Sequence, residues 1–81
     1  MAKTFHLTIA RIGENLFDGE AVSVTLPGEE GVFVVMANHE AFVSPLAEGE
    51  AKIVTESGEQ RMHVPAGGIA EVSSNQATVI L

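Results

Sequence analysis

No cysteine occurs among these 81 residues. A disulfide staple, a thiolate metal site and a cysteine nucleophile are therefore excluded, and a reducing compartment fits. Basic residues are scarce: Lys3, Arg11, Lys52 and Arg61 stand against eleven acidic residues, for a formal charge of −7. Nucleic acid and anionic membrane surfaces are bound largely through clustered Lys and Arg, and no cluster exists here. No run of about 18 apolar residues is present to span a bilayer as a helix. Residues 1–6 contain no apolar signal core followed by a cleavage site. Four phenylalanines are the only aromatic residues of the types Phe, Trp and Tyr. They leave little to line a pocket, which counts against a small ligand-binding barrel.

Catalytic signatures are also missing. A phosphate loop needs a Gly-rich turn, then Lys and Ser or Thr, ahead of a helix. Lys52 instead stands in the strand-like Gly49-Glu50-Ala51-Lys52-Ile53, and Lys3 has no such context. There is no Gly-x-Ser-x-Gly elbow. His6, His39 and His63 match no metal-binding spacing. We expect no catalytic residue, no metal and no cofactor.

What the chain does have is punctuation. Eight glycines and three prolines break it at short intervals. Only residues 32–44 and 69–81 are long enough for an ordinary helix. Neither shows a 3.6-residue apolar period, and both are rich in β-favouring Val, Ile and Phe. Phe5, Leu7 and Ile9 alternate with His6, Thr8 and Ala10, as do Val22, Val24 and Leu26 with Ser23 and Thr25. Later alternations pass through Ala51 and Ile53, Met62 and Val64, residues 69–72 and residues 77–81. Turns are expected near Gly13, at Pro27-Gly28, over residues 47–50, at residues 56–59, at Pro65-Ala66-Gly67-Gly68 and over residues 73–76. The fold class is all-β: a small antiparallel β-sandwich of about eight to ten short strands, forming a single domain over residues 1–81.

The stretch from Gly28 to Leu46 stands at the centre of this pattern. The run Val32-Phe33-Val34-Val35-Met36-Ala37 contains no polar residue and reads as a fully buried strand. Asn38 follows, a residue that tolerates left-handed backbone. His39 has two readings: a strand-end histidine satisfied by backbone, or a recognition residue on an exposed corner. Glu29 and Glu30 also have two, a solvated turn or an acidic tip for a basic partner. His6 and His63 oppose the apolar positions of their strands and are expected in solvent.

Taken in order, several pieces resemble the amino-terminal β-sandwich domain of the epsilon subunit of bacterial ATP synthase. They are Leu16-Phe17-Asp18-Gly19-Glu20, Pro27-Gly28-Glu29-Glu30-Gly31, Val32-Phe33 into Val35-Met36, His39, and Pro45-Leu46 with Gly49. Gly67-Gly68-Ile69-Ala70-Glu71-Val72, Asn75 and Val79-Ile80-Leu81 complete the set. The specificity lies in their order and spacing. This chain departs from the family around the histidine, where Asn38 replaces the usual Gly and Glu40-Ala41 the usual Ala-Pro. Fuller members continue into a carboxy-terminal helical hairpin that can inhibit ATP hydrolysis and in some cases binds ATP. The sequence stops where that hairpin begins, so its inhibitory role is not expected here.

The resemblance implies a non-catalytic rotor subunit at the foot of the central stalk. Its partners are the gamma subunit and the membrane c-ring, with no nucleic acid and no small-molecule substrate. Membrane association is then indirect, through the ring, on the cytoplasmic side of the bacterial inner membrane. Carried over by position, Gly28, Glu29, Glu30, Gly31 and Val32 face the c-ring loops, whose basic residue would meet the two glutamates. Arg11, His39, Glu40, Ala41 and Phe42 lie toward gamma. The competing reading is a lipoyl- or biotinyl-type carrier modified on Lys52, but such a lysine belongs at a hairpin tip, and Lys52 reads as mid-strand.

Overall fold

A computed structural model describes residues 3–81. Met1 and Ala2, part of the stretch read above for a signal core and of the 1–81 domain range, lie outside them. Nine strands follow one another: β1 (Phe5–Arg11), β2 (Glu14–Ala21), β3 (Ser23–Gly28), β4 (Gly31–Met36), β5 (Phe42–Pro45), β6 (Gly49–Thr55), β7 (Gly58–Val64), β8 (Ile69–Ser73) and β9 (Gln76–Ile80). They form a five-stranded sheet in the order β2-β1-β9-β8-β5 and a four-stranded sheet in the order β4-β3-β6-β7. No helix among the described residues is long and apolar enough to cross a membrane.

The alternation in the sequence explains the core. Phe5, Leu7 and Ile9 of β1 point inward with Ala70, Val72, Ala77 and Val79. Val24, Leu26, Val35, Ala51, Ile53 and Val64 meet them from the other sheet. Side chains of period two from two stacked sheets fill one close-packed layer. His6 and His63 are on the outer faces, as expected.

Several details differ from the sequence-based expectation. The pairing of β1 with β9 is parallel, whereas the others are antiparallel. Residues 16–20, for which no strand was expected, are part of β2, which turns back on β1 through Ile12 and Gly13. Pro27 and Gly28 end β3, and the turn itself is Glu29 and Glu30, closed by the Gly28 and Gly31 pair. Gly49 and Glu50 already belong to β6. The expected loop over residues 73–76 tightens to Ser74 and Asn75, both at positive φ (52° and 58°). Two such residues give the twist that matches a hairpin of right-twisted strands.

The largest correction concerns the apolar run. β4 is not a fully buried strand but an edge strand, with only β3 beside it. Val35 is buried and Phe33 half-buried, while Val32, Val34 and Met36 are exposed. An unbroken apolar run has two physical origins: burial on both faces, or an inward face plus an outward face left open. Periodicity does not separate them.

Candidate functional site

Because Pro45 lies at the end of β5, the chain crosses from one sheet toward the other at Leu46. Leu46 is fully buried and bridges Gly28, and its N–H donates to the Gly68 carbonyl at 2.7 Å. The Ala47 N–H donates to the Pro27 carbonyl at 2.8 Å, and the Glu29 N–H to the Pro45 carbonyl at 3.1 Å. The last two bonds fasten the turn end of the β3–β4 hairpin to the β5–β6 connection, and the first ties that connection to the β7–β8 turn. Gly28 is required by close approach: a Cβ there would stand 2.7 Å from the Gly31 carbonyl oxygen and 3.0 Å from the Phe33 ring. The Glu29 and Glu30 side chains are exposed at the tip.

The His39 corner is built differently. Asn38 has φ 62°, so the left-handed conformation anticipated from its identity is present. The His39 N–H closes the turn onto the Met36 carbonyl at 3.2 Å. His39 is half-buried, its Nδ1 donates to the Glu40 carbonyl at 2.8 Å, and its ring rests 5.0 Å from that of Phe42. Phe42 then meets Phe33 edge-on, centroids 5.1 Å apart. His39 is thus both backbone-satisfied and part of an aromatic stack that leads back to β4.

Asn75 holds this corner, a role that its place in the sequence did not suggest. Its Oδ1 accepts from the Asn38 N–H at 2.7 Å, and its Nδ2 donates to the Thr4 carbonyl at 3.1 Å. One amide therefore ties three separate segments together. The available signal was an Asn in a polar loop between alternating strands, which marks the connection but not its bonds.

Glu29, Glu30, Gly31 and Val32 line a groove of about 470 Å³ between the hairpin arm and β5, whose other wall begins at Phe42. His39, Glu40 and Ala41 do not line it and follow the opposite end of β4. Arg11 is not with them. It pairs with Glu14 at 3.0 Å at the far end of β1. Cross-strand register runs from Pro45 to Ile69, Ile80 and Ala10, so Arg11 lies at the Pro45 end of the sheet, three strands over from β5. The His39 corner is at the opposite end, beyond Phe42.

Elsewhere the charged groups form small surface sets. His6 Nε2 is 2.6 Å from Asp18 Oδ1 and Nδ1 is 3.3 Å from Glu20 Oε2. The hydrogen bond to Asp18, then that to Glu20, holds the His6 pKa above its ordinary value. Arg61 bonds Glu50 and Glu59, and both keep its proton on more firmly. No group of three metal-ligating side chains is found among the described residues. Lys52 stands in the middle of β6 opposite Arg61, away from any turn, so it lacks the hairpin-tip setting of a carrier lysine.

Residues 4–81 match the model of the ATP synthase, Delta/Epsilon chain, beta-sandwich domain. The ATP synthase epsilon chain of Clostridium novyi is 34% identical over 80 residues, covering 99% of this chain and 61% of the relative. That of Rhodopseudomonas palustris is 40% identical over 77 residues, covering 95% of this chain and 56% of the relative. The chain thus spans little more than half the length of these relatives. Among solved structures, a chain in the Euglena gracilis mitochondrial ATP synthase OSCP/F1/c-ring assembly superimposes with a TM-score of 0.87 at 26% identity. The match covers 95% of this chain and 49% of that one. A chain in the Tetrahymena thermophila central stalk/c-ring structure shares the fold, with a TM-score of 0.80 at 15% identity, over 98% of this chain and 63% of that one.

Proposed function

We propose a function from one premise: the chain belongs to the family of ATP synthase delta/epsilon beta-sandwich domains. It is a non-catalytic rotor part of the central stalk that links the gamma subunit to the c-ring, in ATP synthesis coupled to proton or sodium transport. It acts as one domain over residues 1–81 and is peripheral to the membrane, on the cytoplasmic side, through the ring. It uses no metal or cofactor. The observation that carries the reading is the family match along the described sandwich.

Gly28, Glu29, Glu30, Gly31 and Val32 form the c-ring contact. Two adjacent carboxylates at a hairpin tip steer and orient a basic loop more than they add affinity. His39, Glu40, Ala41 and Phe42 form the gamma contact, with the Phe42 ring backed by Phe33 and so fixed before binding. Arg11 joins the same contact across the outer face, where Ile69 and Ile80 are about half exposed between β5 and β1. That apolar row supports a broad contact of the size that durable interfaces need. A sandwich with an interlocked core is stiff, as a part that transmits torque must be.

Purified gamma subunit tests the reading. The chain is expected to capture gamma at micromolar concentration, and Glu40→Lys or His39→Ala to weaken capture about tenfold. Undetectable capture by the wild-type chain overturns it.

A further inference from the structure

The two sheets have four edges, and three of them are protected against added strands. β2 carries Glu14, Asp18 and Glu20 and is bulged at Leu16, where the register with β1 shifts. β7 carries Glu59, Arg61 and His63. β5 is four residues long and ends in Pro45. Charge, bulges, shortness and proline are the devices by which edges avoid unwanted pairing. β4 has none of them. It reads Gly-Val-Phe-Val-Val-Met, and its register with β3 is unbroken over six residue pairs. Its outward residues Val32, Val34 and Met36 are 72%, 46% and 55% exposed. Outside the ladder to β3, the Met36 carbonyl, which accepts from His39, is its one recorded backbone bond among the described residues.

We infer that β4 is a strand-addition site. It takes an extended segment of a partner protein, apolar at alternate positions and with Lys or Arg near Glu40, beyond the end of β4 away from the hairpin tip. Main-chain bonds to an edge strand supply the grip in such complexes, and alternate side chains the selectivity. Val32, Val34 and Met36 share one face by the two-residue period and offer the apolar half of that selectivity. Glu40 stands beyond the end of β4 opposite the hairpin tip that the ring takes, and no Lys or Arg occurs between Arg11 and Lys52. A basic partner is therefore favoured. A second copy is not: antiparallel pairing of β4 with itself sets Glu29 and Glu30 of one copy near Glu40 of the other. Like charges so juxtaposed exclude a wrong partner.

The inference deepens the function proposed above and rests on it for the partner's identity, the gamma subunit. Hydrogen exchange of the wild-type chain with purified gamma tests it, alongside affinity measurements on Val34→Lys and Val34→Thr. The β4 amides are expected to become protected in the complex. Val34→Lys is expected to lower affinity at least about tenfold and Val34→Thr less than about threefold. Gamma binding with unprotected β4 amides and an unaffected Val34→Lys overturns strand addition and leaves the rotor reading standing. If Val34→Lys does not fold, amide protection in the wild type decides alone. A wild-type dimer that Val34→Lys dissolves overturns the foreign strand in favour of self-pairing. Absence of any gamma binding by the wild type overturns both readings together.

Discussion

His6 shows what one side chain contributes on the surface of this protein. It stands on β1 and reaches Asp18 and Glu20 on the neighbouring edge strand β2. Those bonds raise its folded pKa above the unfolded value near 6.5. Protonated His6 is thus favoured by folding. The added stability is fully present below about pH 6.5 and fades as pH rises through the higher folded value. The melting temperatures of the wild type and His6→Asn are expected to differ most between about pH 5 and 6.5 and to converge at higher pH. A difference that grows with rising pH contradicts the assignment. The alternation of β1 made the exposure of His6 legible, since period two sets the face. Its two carboxylate partners were not, because they depend on a register shared with β2.

The β3–β4 hairpin is the element that carries most of the proposed chemistry. The glycines bracketing Glu29 and Glu30 announced a turn, although its centre lies two residues later than Pro27-Gly28 suggests. Pro27 and Gly28 remain in the strand because Gly28 pairs with Gly31 and bridges Leu46. Gly28→Ala forces a methyl group against the Gly31 carbonyl and the Phe33 ring. The expected cost is about 1–3 kcal/mol of folding stability, read by urea unfolding. Displacement of Phe33 then disturbs its edge contact with Phe42, so near-ultraviolet signals of the aromatic stack are expected to change as well. Unchanged stability would mean that the turn end of the hairpin is looser than its hydrogen bonds indicate. The edge position of β4 was not legible, since the same apolar run suits a central strand.

For the molecule as a whole, one shared core sets the stability. A chain of this size holds about 4–12 kcal/mol against unfolding. Leu7 is fully buried in the middle of that core. Leu7→Ala is expected to remove about 2–5 kcal/mol, a large part of the total, and to shift the denaturation midpoint accordingly. A shift below about 0.5 kcal/mol contradicts the close-packed layer. Any bound partner raises the apparent stability of a chain by mass action, so this measurement belongs to the isolated chain.

The amino-acid order by itself determined the all-β class, the inward faces of β1 (Phe5, Leu7, Ile9) and β3 (Val24, Leu26), most of the turns, and the family to which the domain belongs. These are local properties: φ permitted by Gly, Pro and Asn, and side chains alternating across a pleat. The tertiary structure alone decided which strands have one neighbour and which have two, that β1 lies parallel to β9, and that Arg11 is parted from His39. It also decided that Asn75 ties Asn38 to Thr4. Strand neighbours are joined mainly through backbone N–H and C=O groups, which every non-proline residue carries alike. Side chains therefore mark where a strand is and which way it faces, while its partners emerge only once distant segments have met.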